Sequence, residues 1–321
     1  MQGVILDGDS LAPDDLDLSP ITNHLESWEV HPQTQPAETA IRLQSATVAV
    51  TNKVIIDAEI INKCPQLKLI AVSATGTNNV DLMAAQKRGI TVCNATGYGT
   101  ASVTQHVLAL ILAITNRVMD YNRAAKDGTW EKAPFFCFLD YPVMQLAGKK
   151  LGIVGYGELG QGVAKLAEAF GMEILVSQRP DREQDTIPDG RLAFSEVIQQ
   201  CDILTLHCPL TAQTENLIAE KELSQMKKGS FLINCARGGI VNEQALADSL
   251  RNGHLAGAAS DVLTKEPPES SNPLLANDIP NLIITPHMAW ASREARQQLV
   301  NTVGENIQAW LNKKPQNIVN L

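Results

Sequence analysis

Four short stretches in the second half of the chain hold side chains able to bind and protonate a small acid: Asn234-Cys-Ala-Arg-Gly-Gly239, Asp261, Glu266 and Thr285-Pro-His287. Arg237 stands among small residues, where a guanidinium can grip a carboxylate through two parallel hydrogen bonds, and Gly238-Gly239 leave room for a ligand; the other use of such an arginine is a structural salt bridge. His287 follows an apolar run and a proline, which suits an acid or base at a strand end and equally suits a histidine that caps a loop. Glu266 can orient that imidazole and favour its charged form, or it is a solvated residue before Pro267-Pro268. His207, two residues before Pro209, reads equally as a strand-end packing group. His106 reads as a hydrogen-bonded packing residue, because no second metal-type residue stands three or four positions away on its helix. An arginine, a histidine and a carboxylate beside a dinucleotide would suit hydride transfer at a carbon next to a carboxylate. Arg237 would bind the acid and polarise its 2-oxo group, His287 would give the proton, and Glu266 would keep the imidazole charged.

The element that must present a dinucleotide to these residues is Leu151–Gly171, an apolar strand, a glycine-rich turn and an amphipathic helix. Gly155, Gly157 and Gly160 fall in the order G-x-G-x-x-G. In that order one glycine makes the tight turn, one lets backbone approach a pyrophosphate and one permits close helix–strand packing. The helix N-terminus then favours an anion. Val163, Leu166, Ala167 and Phe170 continue at helical spacing, and Gly171 ends the helix. Further strands are expected near 173–177, 202–206, 230–234, 256–260 and 281–285, with Ser195 capping a helix over 196–200 and Asn242 capping one over 243–251. The candidate residues then follow the carboxyl ends of strands, where ligands collect in doubly wound sheets. No Walker lysine loop, G-x-S-x-G elbow or H-E-x-x-H helix is present, which removes weight from phosphoryl transfer, acyl transfer by that route and zinc hydrolysis.

A chain of 321 residues exceeds the size at which a single core stops growing. The N-terminal part alternates apolar runs (Gly3–Leu6, Thr47–Val50, Leu67–Val72, Ile90–Cys93) with helical patterns over Asp57–Lys63 and Val80–Arg88. The fold class is therefore α/β, with two doubly wound parallel-sheet domains. The expected boundaries are 1–98 with 290–321 for one discontinuous domain, because a final helix over Ala291–Leu311 packs back on it, and 99–289 for the dinucleotide domain. Ser73-Ala-Thr-Gly-Thr77 follows a strand and can offer backbone N–H groups to a carboxylate, or is an ordinary turn. A long apolar helix is expected over Ala101–Met119. After it, residues 120–146 concentrate Tyr121, Trp130, Phe135, Phe136, Phe138 and Tyr141 with little periodicity, as a partner surface would.

The net charge of −9 argues against nucleic acid or an anionic membrane surface as partner. The longest apolar run, Val107–Ile114, is far short of a bilayer span, and the N-terminus lacks a signal pattern, so a soluble cytoplasmic protein is expected. Six cysteines without C-x-x-C spacing read as buried reduced thiols, with no metal site expected.

From end to end the chain resembles the D-isomer-specific 2-hydroxyacid dehydrogenases. The matching pieces are Asn79-Val-Asp81 after Thr75-Gly76, the turn at 155–160, Cys235-Ala-Arg-Gly-Gly239, Asp261-Val, Glu266-Pro267 and Thr285-Pro-His-Met-Ala-Trp290. Phe136-Cys-Phe-Leu-Asp-Tyr-Pro142 and Gly155–Gly162 look most like the bacterial glycerate dehydrogenase and hydroxypyruvate reductase branch. The resemblance implies a Rossmann cofactor domain inserted in a flavodoxin-like substrate domain, and an oxidoreductase acting on D-2-hydroxy acids. It implies Arg237, Glu266 and His287 as the catalytic set, and Ala74, Thr75 and Gly76 as the carboxylate-binding backbone. It also implies cofactor contacts at Thr104, Glu158, Leu159, Cys208, Pro209, Cys235, Ala236 and Asp261, and a homodimer through residues 101–146. One departure bears on the cofactor. Members that prefer NAD end the second strand with Asp or Glu, whereas this chain has Ser177-Gln178-Arg179. Loss of the acid removes its repulsion of a 2′-phosphate, and Arg179, with Arg182 as a second candidate, can pair with one. NADP(H) is therefore expected, alone or beside NAD(H). Competing readings are a dehydrogenase-like corepressor or binding protein and, among enzymes, phosphoglycerate, formate or phosphite dehydrogenase.

Overall fold

In the computed structural model, which describes residues 1–179 and 187–320, the chain forms two compact units: Met1–Gly99 with Trp290–Leu321, and Thr100–Ala289.

The first unit is built on five parallel strands, β1 (Gln2–Ile5), β2 (Ser27–Val30), β3 (Val48–Thr51), β4 (Leu69–Val72) and β5 (Thr91–Cys93), in the order β2-β1-β3-β4-β5. Every residue of β3 and β4 is buried, as parallel strands covered on both faces require. Asp57 and Asp81 start the helices Ala58–Lys63 and Leu82–Lys87, their carboxylates accepting the N–H of Ile60 and Ala84, each at 2.9 Å. β2 was not expected from the sequence: Ser27-Trp-Glu-Val30 is an edge strand, largely exposed, and lacks the apolar run that marks the others. One face of the sheet packs on a cluster that includes Leu43, Ile56, Ile61 and Val80. The other is closed by Leu299, Val300, Val303 and Ile307 of the C-terminal helix Arg293–Leu311, which starts at a Ser292 cap. Beyond that helix the tail returns along the free edge of β5, where Val319 donates to the carbonyl of Val92 and Cys93 bridges Ile318 in antiparallel sense.

The second unit carries β6 (Lys150–Val154), β7 (Glu173–Val176), β8 (Ile203–Leu206), β9 (Phe231–Asn234), β10 (Gly257–Ser260) and β11 (Leu282–Ile284), all parallel, in the order β11-β10-β9-β8-β6-β7. Outside β7 the ladder continues for one step. Leu192 donates to Val176 O at 2.9 Å, Gln178 donates to Leu192 O at 2.8 Å, and Ser177 and Leu192 form a parallel bridge. Counting that bridge as a vestigial third strand gives the order 3-2-1-4-5-6-7, the dinucleotide-fold order 3-2-1-4-5-6 with one further strand, β11, and its reversal between β6 and β8.

Two local expectations are corrected. The helix expected over Ala101–Met119 ends at Thr115. Arg117 takes a left-handed φ of +55°, and a second helix, Val118–Lys126, leaves at 56°. Arg117 also pairs with Asp120 at 2.7 Å and lies over the Tyr141 ring at 5.4 Å, so interactions outside the apolar pattern fix the break. The helix expected at 196–200 covers Phe194–Gln200 and starts from Ala193, whose N–H is taken by Glu196 at 3.1 Å, so Ser195 is not its cap. Among the described residues no single helix is long and apolar enough to cross a membrane.

Candidate active site

The turn after β6 gives each of its three glycines a distinct reason. A Cβ on Gly155, at φ +95°, would fall 2.5 Å from the carbonyl carbon of His207 at the end of β8, and one on Gly160 would fall 2.2 Å from the Gly155 oxygen. A Cβ on Gly157 would meet nothing within 4 Å, so that face of the turn is open. The helix Glu158–Ala169 starts there without a side-chain cap, leaving first-turn N–H groups for an anion. Open backbone, uncapped helix and strand reversal together fit a dinucleotide pyrophosphate. Glu158 accepts a hydrogen bond from Thr100 Oγ1 at 2.6 Å, and Leu159 lies in the same first turn. Thr104 is buried; its hydroxyl donates to the Thr100 carbonyl at 2.8 Å, and a Cβ on Gly162 would meet its methyl at 2.6 Å, so it packs the helix of residues 100–115 against the clamp helix.

At the end of β7, Ser177 and Gln178 are buried and Arg179 is exposed. Ser177 Oγ donates to the Gln178 carbonyl at 2.8 Å, and among the described residues 177–179 none is acidic. Arg182 lies outside the described residues.

The other strand ends supply the reactive side chains. After β8, Cys208 is buried, which pushes its thiol up to about 11, and Pro209 accepts a hydrogen bond from Thr214 Oγ1 at 2.6 Å. His207 meets Thr205 Oγ1 at 3.0 Å, and burial lowers it to about 4, so the ring is neutral. After β9, burial raises the Cys235 thiol, and Asn234 ties the turn together: its Oδ1 accepts from the Ala236 N–H at 3.1 Å and its Nδ2 donates to the Arg237 carbonyl at 2.9 Å. The exposed Arg237 guanidinium donates to the Ala236 carbonyl at 2.7 Å. A Cβ on Gly238 would fall 1.9 Å from Leu263 O, so the Arg237 turn lies directly on the loop that follows β10.

That loop turns Glu266 toward His287. Glu266 Oε1 accepts from the Leu263 N–H at 2.9 Å, and Oε2 lies 2.6 Å from His287 Nδ1, with the two side chains 36% and 32% exposed. His287 has a left-handed φ of +54°, held because its N–H is shared between the carbonyls of Asp261 (2.8 Å) and Thr285 (3.0 Å). Asp261, only 1% exposed, braces the same turn: Oδ1 accepts from Thr285 Oγ1 (2.5 Å) and the Met288 N–H (2.9 Å), and Oδ2 from the Ala289 N–H (2.9 Å). Burial works against its charge, but hydrogen bonds from His106, Thr285 and the two N–H groups outweigh it and hold the carboxyl below its ordinary range. His106 Nε2 meets Thr285 Oγ1 at 3.1 Å, which is its packing role. The structure thus brings Arg237, Glu266, His287 and Asp261 to adjoining loops of one unit. The bracing by Thr285 was not read from the sequence; a hydroxyl two residues before the histidine was the only signal for it.

Ala74, Thr75 and Gly76 belong to the other unit. Asn94 Nδ2 donates to the Thr75 carbonyl at 2.7 Å and Thr75 Oγ1 to the Ala95 carbonyl at 2.9 Å, fixing the turn. Among the described residues the N–H groups of Thr75 and Gly76 carry no hydrogen bond. No three His, Cys, Asp or Glu side chains gather to hold a metal ion among the described residues.

A dinucleotide clamp at a sheet reversal, with a histidine–carboxylate pair and an arginine at neighbouring strand ends, is the arrangement of a nicotinamide-dependent dehydrogenase. The sequence pattern of "D-isomer specific 2-hydroxyacid dehydrogenase, NAD binding domain" matches residues 108–289. The chain is 45% identical over 285 residues to a glycerate dehydrogenase of Methylorubrum extorquens, covering 88% of each, and 38% identical over 325 residues to a hydroxypyruvate reductase of Blautia hydrogenotrophica, covering all of both. Among solved structures, an acyclic imino acid reductase in complex with NADPH and D-Arg superposes with a TM-score of 0.86 at 29% identity, over 99% of this chain and 100% of that one. The chain belongs to the D-isomer-specific 2-hydroxyacid dehydrogenase family and is an NAD(P)-dependent oxidoreductase.

Proposed function

We propose that the enzyme reduces hydroxypyruvate or glyoxylate, interconverting them with the D-2-hydroxy acids, and that it accepts NADP(H). The observation that carries the chemistry is the contact of 2.6 Å between His287 Nδ1 and Glu266 Oε2. A carboxylate on Nδ1 fixes the ring and its orientation, which makes Nε2 the atom that gives its proton to the 2-oxo oxygen in reduction and takes it back in oxidation. Arg237 pairs with the substrate carboxylate and polarises the adjacent oxo group. The unengaged N–H groups of Thr75 and Gly76 are donors suited to a carboxylate. Bound NAD(P)H supplies the hydride.

The names of the two relatives support the substrate class. For the cofactor, support comes from the neutral Ser177 and Gln178 at the end of β7, followed by Arg179: among the described residues of this strand end no acid stands to repel a 2′-phosphate, and a cation is at hand. kcat/KM measured with NADH and with NADPH against hydroxypyruvate, glyoxylate and phosphohydroxypyruvate tests both parts. The expected pattern is turnover of the first two with NADPH at least as effective as NADH. A large NADH preference overturns the cofactor reading, and a preference for the phosphorylated acid overturns the substrate reading.

The partner is a second copy of the chain. Phe135, Phe136 and Leu139 are 73%, 91% and 78% exposed on an arm that Tyr121, Phe138 and Tyr141 hold in shape by edge-on ring contacts of 5.2–6.0 Å. An apolar surface so displayed suits an interface. Light scattering should give the mass of a dimer, and a monomeric mass at working concentration removes the assignment.

A further inference from the structure

The end of β7 holds a cation that the sequence reading passed over. Ser177 donates its N–H to Ile153 O of β6 at 2.9 Å. A strand residue points its N–H and C=O to the same side, so the Ser177 carbonyl also faces β6, just beyond the last rung of the ladder. Arg191 approaches from the opposite edge, one residue before the bridge formed by Leu192, yet its Nη1 reaches that carbonyl at 3.2 Å. To do so the side chain crosses the carboxyl end of β7 and lays the guanidinium over it. The contact uses one of five donors, the side chain is half-buried, and among the described residues no carboxylate lies within ion-pair distance of it. A partly desolvated cation, anchored on a carbonyl and without an anion among the described residues, stands where the adenosine ribose of a dinucleotide lies in this fold.

We propose that Arg191 is a specificity-determining residue that binds the 2′-phosphate of NADP(H). The proposal rests on the NADP(H) reading for the ligand and on the Arg191–Ser177 geometry for the residue. It differs from the reading of Arg179, because Arg191 is held by the sheet edge itself, so its fork is oriented before the phosphate arrives.

The test is calorimetric binding of ADP-ribose and 2′-phospho-ADP-ribose to the full chain at one ionic strength, comparing wild type with Arg191→Gln and Arg191→Lys. These ligands read the adenosine end without turnover. In Arg191→Gln the phosphorylated ligand should weaken by about 10-fold or more, as loss of a charge-assisted pair requires, while ADP-ribose shifts by less than about twofold. Arg191→Lys should fall between, keeping charge and losing the fork. An unchanged ratio of the two affinities overturns the proposal, and so does an equal loss for both ligands, which would make Arg191 only a brace for Ser177. The wild-type ratio reports separately on cofactor preference. If wild type favours ADP-ribose and Arg191→Gln still weakens the phosphorylated ligand selectively, the role of Arg191 stands and the preference falls. If wild type favours the phosphorylated ligand and Arg191→Gln leaves the ratio intact, the preference stands and Arg191 falls.

Discussion

His287 occupies a left-handed backbone position that costs a non-glycine residue on the order of 1 kcal/mol or more. Asp261 and Thr285 meet that cost by taking its N–H and bracing the residues on either side, so the imidazole is set by a buried carboxylate and a half-buried threonine. His287→Ala should lower kcat for 2-oxoacid reduction by roughly 10²- to 10⁴-fold, the range of a lost general acid. Glu266→Gln keeps the shape and removes the charge at 2.6 Å from Nδ1, and should cost roughly 10-fold or more in kcat with KM little changed. Wild-type turnover in either variant, measured by steady-state kinetics, would remove these residues from the proton path. At this scale the sequence was informative wherever chemistry follows a strand. Arg237, Glu266 and His287 could each be singled out as candidates from their positions after strands. The bracing by Asp261 and the reach of Arg191 depend on which carbonyls point where, a property of the folded sheet.

At the scale of elements, nearly every strand was legible because buried parallel strands are short apolar runs. The exceptions are instructive. β2 pairs through its backbone at an exposed edge and needs no apolar pattern, and the vestigial strand at Leu192 is a single residue, too short to carry one. The break at Arg117 was hidden because apolar spacing continues through Val118 and Met119. β8 carries a prediction of its own. Directly after it comes His207, whose Nδ1 is buried with no partner among the described residues and whose ring is lowered from 6.5 to about 4 by burial. Between those values the unfolded chain binds more protons than the folded one. The contribution to stability is therefore complete above pH 6.5 and is lost as pH falls toward 4, by up to about 3 kcal/mol. Urea unfolding of wild type and His207→Gln at about pH 7.5 and about pH 5 should show the smaller acid-induced loss in the variant; equal losses would place the pH sensitivity elsewhere.

At the scale of the whole molecule, the chain begins and ends in the same unit. The strands of residues 1–99 lie on one face against Leu299, Val300, Val303 and Ile307. Those four side chains are fully buried, and no residue before Gly99 replaces them. The length of the chain led to the expectation of two domains, and the apolar stripe of the final helix to the expectation that it packs back on the first, because such a stripe needs a partner surface. The same connectivity sets an order of manufacture. On a ribosome the second unit has all its strands in hand while the first still lacks one wall of its core, so residues 1–99 cannot complete that core until the helix Arg293–Leu311 has followed the second unit.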